Sequence, residues 1–392
     1  MNFFKNMQAR QKLISAFKEA GIYKEIGEDK RKLFPKIHNV PNDKYDYYVF
    51  TLRNGIDPKI LKKKLYVFQQ FFGENVAIDG EYKNFKLSIK KTSLIDKVNY
   101  DYPQILEIIQ KEKLIIPIPC GMNEKGIFKM YDATNSPNLL IYGEPGSGKS
   151  SILHVILSTL MQTYSPKQIE FYLADFKMSE LNLYEGVKHV KSISYLTKDL
   201  SPALQHLKKE MTKRGELLKD NKIRHINKLP DEQKPPYIVL CVDEFVMIKD
   251  DDIMSDLLQI ASLGRAYGIY LILSMQRPSH KILSTDVRGL LSVRMGFRTV
   301  DKRNAMIGET PGSETIPAKG YEGTFFLKMD DLEQLRSPYL DETQTETIIS
   351  RFKIDDWKNH NYKKHIPVEE KNQEQPKQLT ESDVYGDVNQ KG

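Results

Sequence analysis

The sequence is poor in the residues that build disulfide frameworks and metal sites. It contains two cysteines and one tryptophan in 392 residues. Cys120 and Cys241 both stand among apolar neighbours. A disulfide-stabilised fold or a zinc site needs more thiols, or a Cys/His spacing that is absent here. Both cysteines are therefore predicted to be reduced and buried in packing.

Long hydrophobic runs are also missing. The longest apolar stretches, such as residues 237–242, are far shorter than the roughly 18 residues that cross a bilayer. The first residues run into Gln8-Ala-Arg-Gln-Lys12 without a long apolar core, so no secretory signal is expected. With 40% hydrophobic and 28% charged residues, the composition is typical of a globular protein with a real core. We expect it in the cytoplasm, with a partner as the means of any membrane recruitment.

The excess of positive over negative charge lies in the front of the chain. The formal net charge is +7. Residues 1–110 hold 20 Lys and Arg against 13 Asp and Glu, while the rest hold 39 of each. A basic region is compatible with DNA, an anionic membrane surface, a protein partner or an ordinary solvated face. Charge alone does not decide between them.

The hydrophobic pattern predicts four parts. Residues 1–34 form an N-terminal helical segment, and residues 35–110 a small α+β domain with a connector. Residues 111–345 alternate apolar runs with helical patterns, which is typical of a mainly parallel sheet wrapped by helices in an α/β fold. Residues 346–392 form a C-terminal extension. From about residue 367 it has too few apolar residues to order itself.

A phosphate-binding motif lies in the α/β region. The apolar strand 138–142 runs into Gly143-Glu-Pro-Gly-Ser-Gly-Lys-Ser150, and a helical pattern follows. The spacing G-x-x-x-x-G-K-S between a strand and a helix predicts a P-loop that binds ATP. Lys149 supplies a charge to the phosphates, and Ser150 is a predicted Mg²⁺ ligand. The predicted nucleotide-binding residues are Gly143, Glu144, Pro145, Gly146, Ser147, Gly148, Lys149, Ser150 and Ser151.

Two carboxylates end a second buried strand. Residues 236–242 are rich in β-branched side chains and lead into Asp243 and Glu244. An Asp at a strand end can hold hydrated Mg²⁺, and the next residue can reach the γ-phosphate side. We therefore assign Asp243 to magnesium and Glu244 to polarising the attacking water.

A third strand, residues 269–275, ends at Gln276. Open α/β sheets place ligands at this edge. Gln276 either senses the γ-phosphate or is a polar residue that enters the turn at Pro278.

The chain resembles the FtsK/SpoIIIE-type DNA-pumping ATPases, including coupling ATPases of Gram-positive conjugative elements. Similarity covers residues 112–340 well and residues 35–95 more weakly. The matching segments are Cys120-Gly121, the P-loop, Ala174-Asp-Phe-Lys-Met-Ser-Glu-Leu181, Glu210-Met211 with Arg214, Arg224-His-Ile-Asn227, Val242-Asp-Glu-Phe245, Gly264-Arg-Ala-Tyr-Gly-Ile269, Gln276-Arg-Pro278, and Arg294 before Gly296-Phe297.

The resemblance implies a RecA-like motor. Such motors form a homo-oligomeric, hexameric ring around double-stranded DNA and hydrolyse ATP between subunits. The family usually has Asp-Pro-Lys where this chain has Asp175-Phe-Lys177. No membrane anchor and no winged-helix module that reads orientation sequences are recognised. These departures favour a plasmid, phage or conjugative-element protein. A relaxase or a membrane-anchored conjugation protein is then a candidate partner.

In such a ring a neighbouring subunit's arginine neutralises charge on the transferring phosphoryl group. Arg265 and Arg294 compete for this role, and either is also readable as an ordinary surface or helix-end cation. Sequence-independent movement needs phosphate contacts rather than base readout. Six basic residues could supply these contacts: Lys188, Lys191, Lys213, Arg214, Lys222 and Arg224. Each of them could instead be an ordinary solvated charge.

The leading interpretation is an ATPase that moves DNA, for conjugative transfer or for processing of plasmid or mobile-element DNA. The main alternative is a nucleotide-gated adaptor that binds DNA or a relaxosome without processive movement. A small-molecule kinase is the third, and the pairing of Asp243 with Glu244 argues against it.

Overall fold

The computed structural model describes residues 2–41, 47–73, 76–89, 97–280 and 282–354. The chain divides into two compact units, residues 1–94 and 95–392. The tail that the composition predicts to be disordered lies outside the described residues.

The first unit is a small α+β fold. Its main sheet has four antiparallel strands in the order β3-β4-β6-β5, and β1 pairs with β2 as a hairpin. The elements are α1 (Asn2–Glu19), β1 (Lys24–Ile26), β2 (Arg31–Leu33), β3 (Lys36–Asn39), β4 (Tyr47–Thr51), α2 (Lys59–Lys63), α3 (Leu65–Phe72), β5 (Val76–Glu81) and β6 (Asn84–Ile89).

Aromatic packing joins the N-terminal helix to this sheet. The ring of Phe17 in α1 lies 4.9 Å from that of Phe50 in β4 and 5.8 Å from that of Phe68 in α3. All three side chains are fully buried, and such ring pairs stabilise a core beyond their buried area. The predicted helical segment 1–34 is therefore wrong in two respects: its helix ends at Glu19, and it packs into the same core as residues 35–89.

The second unit is built on a ten-stranded sheet in the order β12-β11-β13-β14-β10-β15-β16-β17-β8-β9. The first six strands are parallel and the last four pair antiparallel. A two-stranded sheet joins β7 to β18. The strands are β7 (Val98–Asn99), β8 (Pro117–Asn123), β9 (Phe128–Asp132), β10 (Asn138–Tyr142), β11 (Ile169–Asp175), β12 (Val190–Ser194), β13 (Tyr237–Asp243), β14 (Ile269–Met275), β15 (Val293–Phe297), β16 (Thr324–Lys328), β17 (Leu332–Arg336) and β18 (Pro338–Tyr339).

Helices cover both faces of this sheet. The α-helices are α4 (Tyr102–Glu112), α5 (Lys149–Thr163), α6 (Thr197–Asp220), α7 (Asp251–Leu263), α8 (Thr285–Leu290), α9 (Lys302–Ile307) and α10 (Glu342–Ser350). In β10, Leu139 and Ile141 pack with α5, whereas Leu140 and Tyr142 pack on the face covered by α6 and α7. Both faces of a parallel strand are apolar when helices cover each side. The predicted α/β architecture is therefore confirmed.

The predicted boundaries differ from the structure at both ends of this unit. The segment before residue 111, which the sequence predicts as a connector, supplies β7 and α4 to the second unit. At the other end, the ordered chain continues past residue 345. The backbone N–H of Ile354 donates to the carbonyl of Gly186 at 2.9 Å, so the end of α10 is tied to the loop before β12.

Cys120 and Cys241 are free thiols and are fully buried, as expected. Burial raises the pKa of both thiols far above the ordinary value, so both stay protonated. Within the part of the chain that is described, no helix has the length and apolar character needed to span a bilayer.

Candidate active site

The P-loop connects β10 to α5 by a turn that only glycine permits. Gly148 has a φ of +111°, and a Cβ there would lie 2.7 Å from the backbone of Gly323. Ser147 and Lys149 both donate to the carbonyl of Glu144, at 2.7 and 3.2 Å. The loop is thus closed on itself at the amino end of α5, where the helix dipole favours an anion.

A cavity of about 960 Å³ opens beside this loop, at the edge where the parallel strands end. Its size suits a nucleotide. Nine of the residues predicted from sequence line it: Pro145, Gly146, Gly148, Lys149, Ser150, Ser151, Asp243, Glu244 and Gln276.

Three predicted P-loop residues do not line the cavity. Gly143 packs against Phe297, where a Cβ would come within 2.6 Å. Glu144 forms an ion pair of 2.5 Å with Arg298, just beyond β15, and Ser147 is buried. These residues shape the loop and fix it to the neighbouring strand, and their side chains do not face the cavity.

Asp243 lies at the end of β13, directly across from Asp175 on β11. It is 7% exposed and accepts a hydrogen bond from the hydroxyl of Ser274. Burial raises the pKa of Asp243, and the negative charges of Asp175 and Glu244 add to the rise. Burial and these two charges disfavour the ionised form of Asp243, and a bound cation would stabilise that form.

Lys149 and Glu180 are two further charged groups near this carboxylate. Burial lowers the pKa of Lys149, while Glu244 and Asp243 oppose the shift. Burial also raises the pKa of Glu180, against a hydrogen bond from Ser150. Glu180 was not predicted from sequence, although it belongs to the segment 174–181 that carries the family resemblance.

Glu244 is held in an unusual backbone conformation. Its φ is +52°, a left-handed region that costs a non-glycine residue of order 1 kcal/mol or more. One carboxylate oxygen accepts a hydrogen bond of 2.8 Å from Lys177, and the other accepts the backbone N–H of Gln276 at 3.3 Å. The strained turn directs the carboxylate back into the cavity.

Lys177 reaches this position from a turn that a buried aspartate organises. Asp175 is fully buried, and its carboxylate accepts backbone N–H groups of Lys177, Glu180 and Leu181 at 3.2, 2.9 and 2.8 Å. The chain therefore folds back over the strand ends. The Asp-Phe-Lys sequence is a visible departure from the family's usual Asp-Pro-Lys, but it predicts no role for Lys177.

Residues in and beside β7 and β18, which the sequence did not predict as part of the site, also line the cavity. Lys97, Val98, Tyr339 and Asp341 line it. Tyr339 is 45% exposed, with the ammonium of Lys97 at 4.4 Å from its ring centroid. Arg336 also lines the cavity and donates to the carbonyl of Gly320 at 3.1 Å.

The two candidate arginines lie away from this chain's own cavity, in different settings. Arg265 is exposed, and its Nε donates to the carbonyl of Thr134 at 2.9 Å. Arg294 lies in β15 and is 7% exposed. It pairs with Glu309 at 3.0 Å and donates to the carbonyl of Arg288 at 2.7 Å. Of these two arginines, Arg265 is the one whose guanidinium a second molecule can reach.

The candidate DNA contacts also differ in access. Arg214 is 2% exposed, pairs with Glu210 at 3.4 Å and donates to the carbonyl of Tyr267 at 2.7 Å. It cannot reach a polyanion outside the fold. The other five candidates are exposed: Lys188, Lys191, Lys213, Lys222 and Arg224.

Comparison with known proteins agrees with the sequence motifs. Residues 107–234 match the model of the FtsK/SpoIIIE family. DNA translocase FtsK of Lactiplantibacillus plantarum is 28% identical over 257 residues, which cover 61% of this chain and 32% of that protein. DNA translocase FtsK of Leptospira interrogans is 30% identical over 264 residues, which cover 63% of this chain and 27% of that protein. The chain thus spans about 30% of the length of these relatives.

Solved structures share the fold. The pCW3 conjugation coupling protein TcpA, in its monomer form with ATPγS, is 22% identical with a TM-score of 0.60, and the match covers 88% of this chain and 99% of that chain. The cytoplasmic domain of the type VII secretion ATPase EccC of Thermomonospora curvata is 24% identical with a TM-score of 0.53, covering 61% of this chain and 31% of that chain. The predicted P-loop ATPase motor fold and the predicted family resemblance are both confirmed.

Proposed function

We propose that this chain, which resembles the FtsK/SpoIIIE family over residues 107–234, couples ATP hydrolysis to the movement of DNA through a ring of identical subunits. One observation carries the proposal: Lys149, Ser150, Asp243, Glu244 and Gln276, which are distant in sequence, line a single cavity at the carboxyl edge of the sheet. This is the arrangement that phosphoryl transfer needs.

The nucleotide is oriented by the two ends of the cavity. The β- and γ-phosphates lie against the amino end of α5, where the P-loop N–H groups and Lys149 meet them. The nucleoside extends past Ser151 towards Tyr339, whose exposed ring offers a surface for the base to stack on.

Magnesium fits the residues present. Ser150 and the buried carboxylate of Asp243 supply oxygen donors, which Mg²⁺ prefers. Throughout the described ranges, no group of three or more His, Cys, Asp or Glu side chains could hold a metal ion. That suits a cation that takes its other ligands from the nucleotide and from water. When bound, the cation neutralises charge on the β- and γ-phosphates.

Glu244 orients the attacking water. Its carboxylate is buried, and its strained turn fixes its direction. The backbone N–H of Gln276 contacts the same carboxylate at 3.3 Å, so the end of β14 is coupled to Glu244. A change at the γ-phosphate that moves Glu244 would therefore also move the backbone at Gln276.

A neighbouring subunit supplies the remaining charge. We assign this role to Arg265 because its guanidinium is exposed at the end of α7. Arg294 is committed to Glu309 within its own subunit, so it supports the fold. In known systems an arginine supplied in trans raises the rate by about 10³ to 10⁵.

DNA is contacted through phosphates, without base readout. The exposed lysines and arginine named above are suited to such contacts, which weaken as salt rises. We propose double-stranded DNA as the cargo and a hexameric ring as the working form. A relaxase or a membrane-anchored conjugation protein would bring the motor to its DNA in plasmid or mobile-element transfer.

Displacement of a third strand from duplex DNA tests the proposal. A translocating ring strips a triplex-forming oligonucleotide in the presence of Mg·ATP, and the Lys149→Ala variant does not. If the wild-type chain binds the DNA and hydrolyses ATP but never displaces the third strand, the chain is a nucleotide-gated adaptor and the proposal fails.

A further inference from the structure

An ammonium group is bound to the carboxylate that the hydrolysis step requires. The Nζ of Lys177 lies 2.8 Å from Oε2 of Glu244. The Glu244 side chain is 9% exposed and that of Lys177 is 34% exposed. Ion pairs with one buried partner are screened far less than surface pairs.

This pair competes with water for the Glu244 carboxylate. A water-orienting carboxylate must accept a hydrogen bond from the attacking water. In this structure Oε2 accepts from Lys177, and Oε1 accepts the N–H of Gln276. A carboxylate oxygen can accept two hydrogen bonds. Lys177 occupies one of these positions on Oε2, and that position becomes available to water when Lys177 moves away.

The lysine side chain can move while its backbone stays fixed. Asp175 holds the turn through the backbone N–H groups of Lys177, Glu180 and Leu181. Nζ lies at the end of a flexible four-carbon stem, a third of which is exposed. The ammonium can therefore swing within the cavity without a change in the fold.

The γ-phosphate of a bound triphosphate would compete with Glu244 for the ammonium of Lys177. Four cationic side chains line the cavity as far as its described residues go: Lys97, Lys149, Lys177 and Arg336. Lys97 lies at the nucleoside end, over Tyr339, and Lys149 belongs to the P-loop. Lys177 is the cation paired with Glu244, on the side where the γ-phosphate is expected. A diphosphate places no anionic oxygen there.

We propose that Lys177 holds Glu244 when no γ-phosphate is within reach and exchanges it for the γ-phosphate of a bound triphosphate. Lys177 is then a positioning residue that releases the water-orienting carboxylate only when ATP is present. This inference rests on the proposed function for the role of Glu244, but its tests read nucleotide binding alone.

Two structures of the wild-type chain give the direct test. With Mg·ADP the distance from Nζ of Lys177 to Oε2 of Glu244 stays near the 2.8 Å seen here. With Mg and the non-hydrolysable analogue AMPPNP, the distance exceeds hydrogen-bonding range and Nζ contacts a γ-phosphate oxygen. An intact pair in both complexes overturns the proposal.

Binding measurements separate a contact to phosphate from a passive counter-charge. Lys177→Met in a Glu244→Gln background weakens AMPPNP binding by about 10- to 100-fold relative to Glu244→Gln alone, the range of a charge-assisted hydrogen bond. ADP affinity changes less than threefold, and Lys177→Arg keeps most of the preference for triphosphate. A lysine that only neutralised Glu244 would have no effect in this background, and that result overturns the proposal.

Lys208→Met is the matched control. Lys208 is 31% exposed and pairs with Asp256 at 2.5 Å, away from the cavity, so its loss leaves both affinities unchanged. The wild-type chain tests the proposed function separately. If it discriminates AMPPNP from ADP through Lys177 but releases no phosphate from ATP, the proposed function fails, while the exchange of Lys177 between Glu244 and the γ-phosphate stands.

Discussion

The hydroxyl of Ser151 joins the P-loop helix to β18: it accepts the backbone N–H of Leu340 at 2.8 Å. The same hydroxyl donates to the carbonyl of Pro338 at 3.4 Å. Because Tyr339 lies between these two residues, the first turn of α5 fixes the strand that carries the exposed ring. The phosphate end and the nucleoside end of the cavity are thereby held in one geometry.

Tyr339 therefore contributes to nucleotide affinity. We expect Tyr339→Ala to raise KM for ATP by about tenfold or more, since base stacking on an aromatic ring is worth about 1–3 kcal/mol. The value of kcat should change little, because ground state and transition state lose the same contact. Tyr339→Phe keeps the ring and should match the wild type. Tyr66→Ala, which removes a tyrosine that is 52% exposed in the first unit, is the control. Steady-state ATPase assays give both constants. An unchanged KM in Tyr339→Ala would show that Tyr339 does not contact the bound nucleotide.

Glu244→Gln should separate binding from hydrolysis. The amide keeps the size of the side chain but cannot take up a proton, so kcat should fall by about 10² to 10⁴. ATP affinity should be retained, and filter binding should find ATP trapped on the protein. Glu216→Gln, at an exposed position of α6, is the matched control. Hydrolysis at the parental rate in Glu244→Gln would rule out the assigned role.

Replacing Arg265 should mainly affect kcat, whereas replacing Arg294 should mainly affect stability. Arg265→Ala should lower kcat by about 10³ or more, with a stability loss of about 1 kcal/mol at most, since its one hydrogen bond to the carbonyl of Thr134 is lost. When it is mixed with Lys149→Ala subunits, activity should partly return, because each subunit type supplies what the other lacks. Arg294→Ala should instead destabilise the fold by about 1–3 kcal/mol, since it removes the partner of Glu309 and a donor to a backbone carbonyl. Failure of the mixture to hydrolyse ATP would contradict a trans role for Arg265.

The burial of His154 predicts that the protein loses stability in mild acid. It lies on α5, with Nδ1 at 3.1 Å from the hydroxyl of Tyr184 and Nε2 at 4.0 Å from Glu180. Burial lowers the pKa of His154 to about 4, against a small opposing effect of Asp341. The unfolded chain, with an ordinary pKa near 6.5, binds the proton first. Stability is therefore complete above about pH 6.5 and falls as the pH drops towards 4.

The His154→Gln variant isolates this effect. Urea unfolding at pH 7 and pH 4.5 should give a smaller loss for the variant, with a difference on the order of 2 kcal/mol. Comparing losses cancels the effect of carboxyl groups such as Asp243, whose raised pKa acts with the opposite sign. Equal losses in the two proteins would mean that His154 does not titrate in this range.

The sequence predicted those parts of the site that local spacing determines. The P-loop, Asp243 and Gln276 each follow a buried strand, and parallel strands end at one edge, so their convergence could be expected. Lys177 and Tyr339 could not be found in this way. Lys177 is directed by a turn whose hydrogen bonds run to the side chain of Asp175, and Tyr339 is placed by pairing with β7, 240 positions earlier in the chain.

The same distinction explains the errors in the fold. Apolar spacing found α1, but Gly21 and Gly27 have positive φ values, and the hairpin of β1 and β2 begins after the first of them. Polar strands such as Lys24–Ile26 carry no alternating pattern, because all three residues are exposed. Burial also distinguishes Arg265 from Arg294, and burial depends on tertiary packing that neither arginine's neighbours in sequence reveal.

Release of inorganic phosphate from ATP, with and without duplex DNA, is the most direct test of the whole account. The wild-type chain with Mg²⁺ should release phosphate faster when duplex DNA is added, the stimulation should weaken as salt rises, and Lys149→Ala should remain at background. A wild-type rate no higher than that of Lys149→Ala, with DNA present, would contradict it.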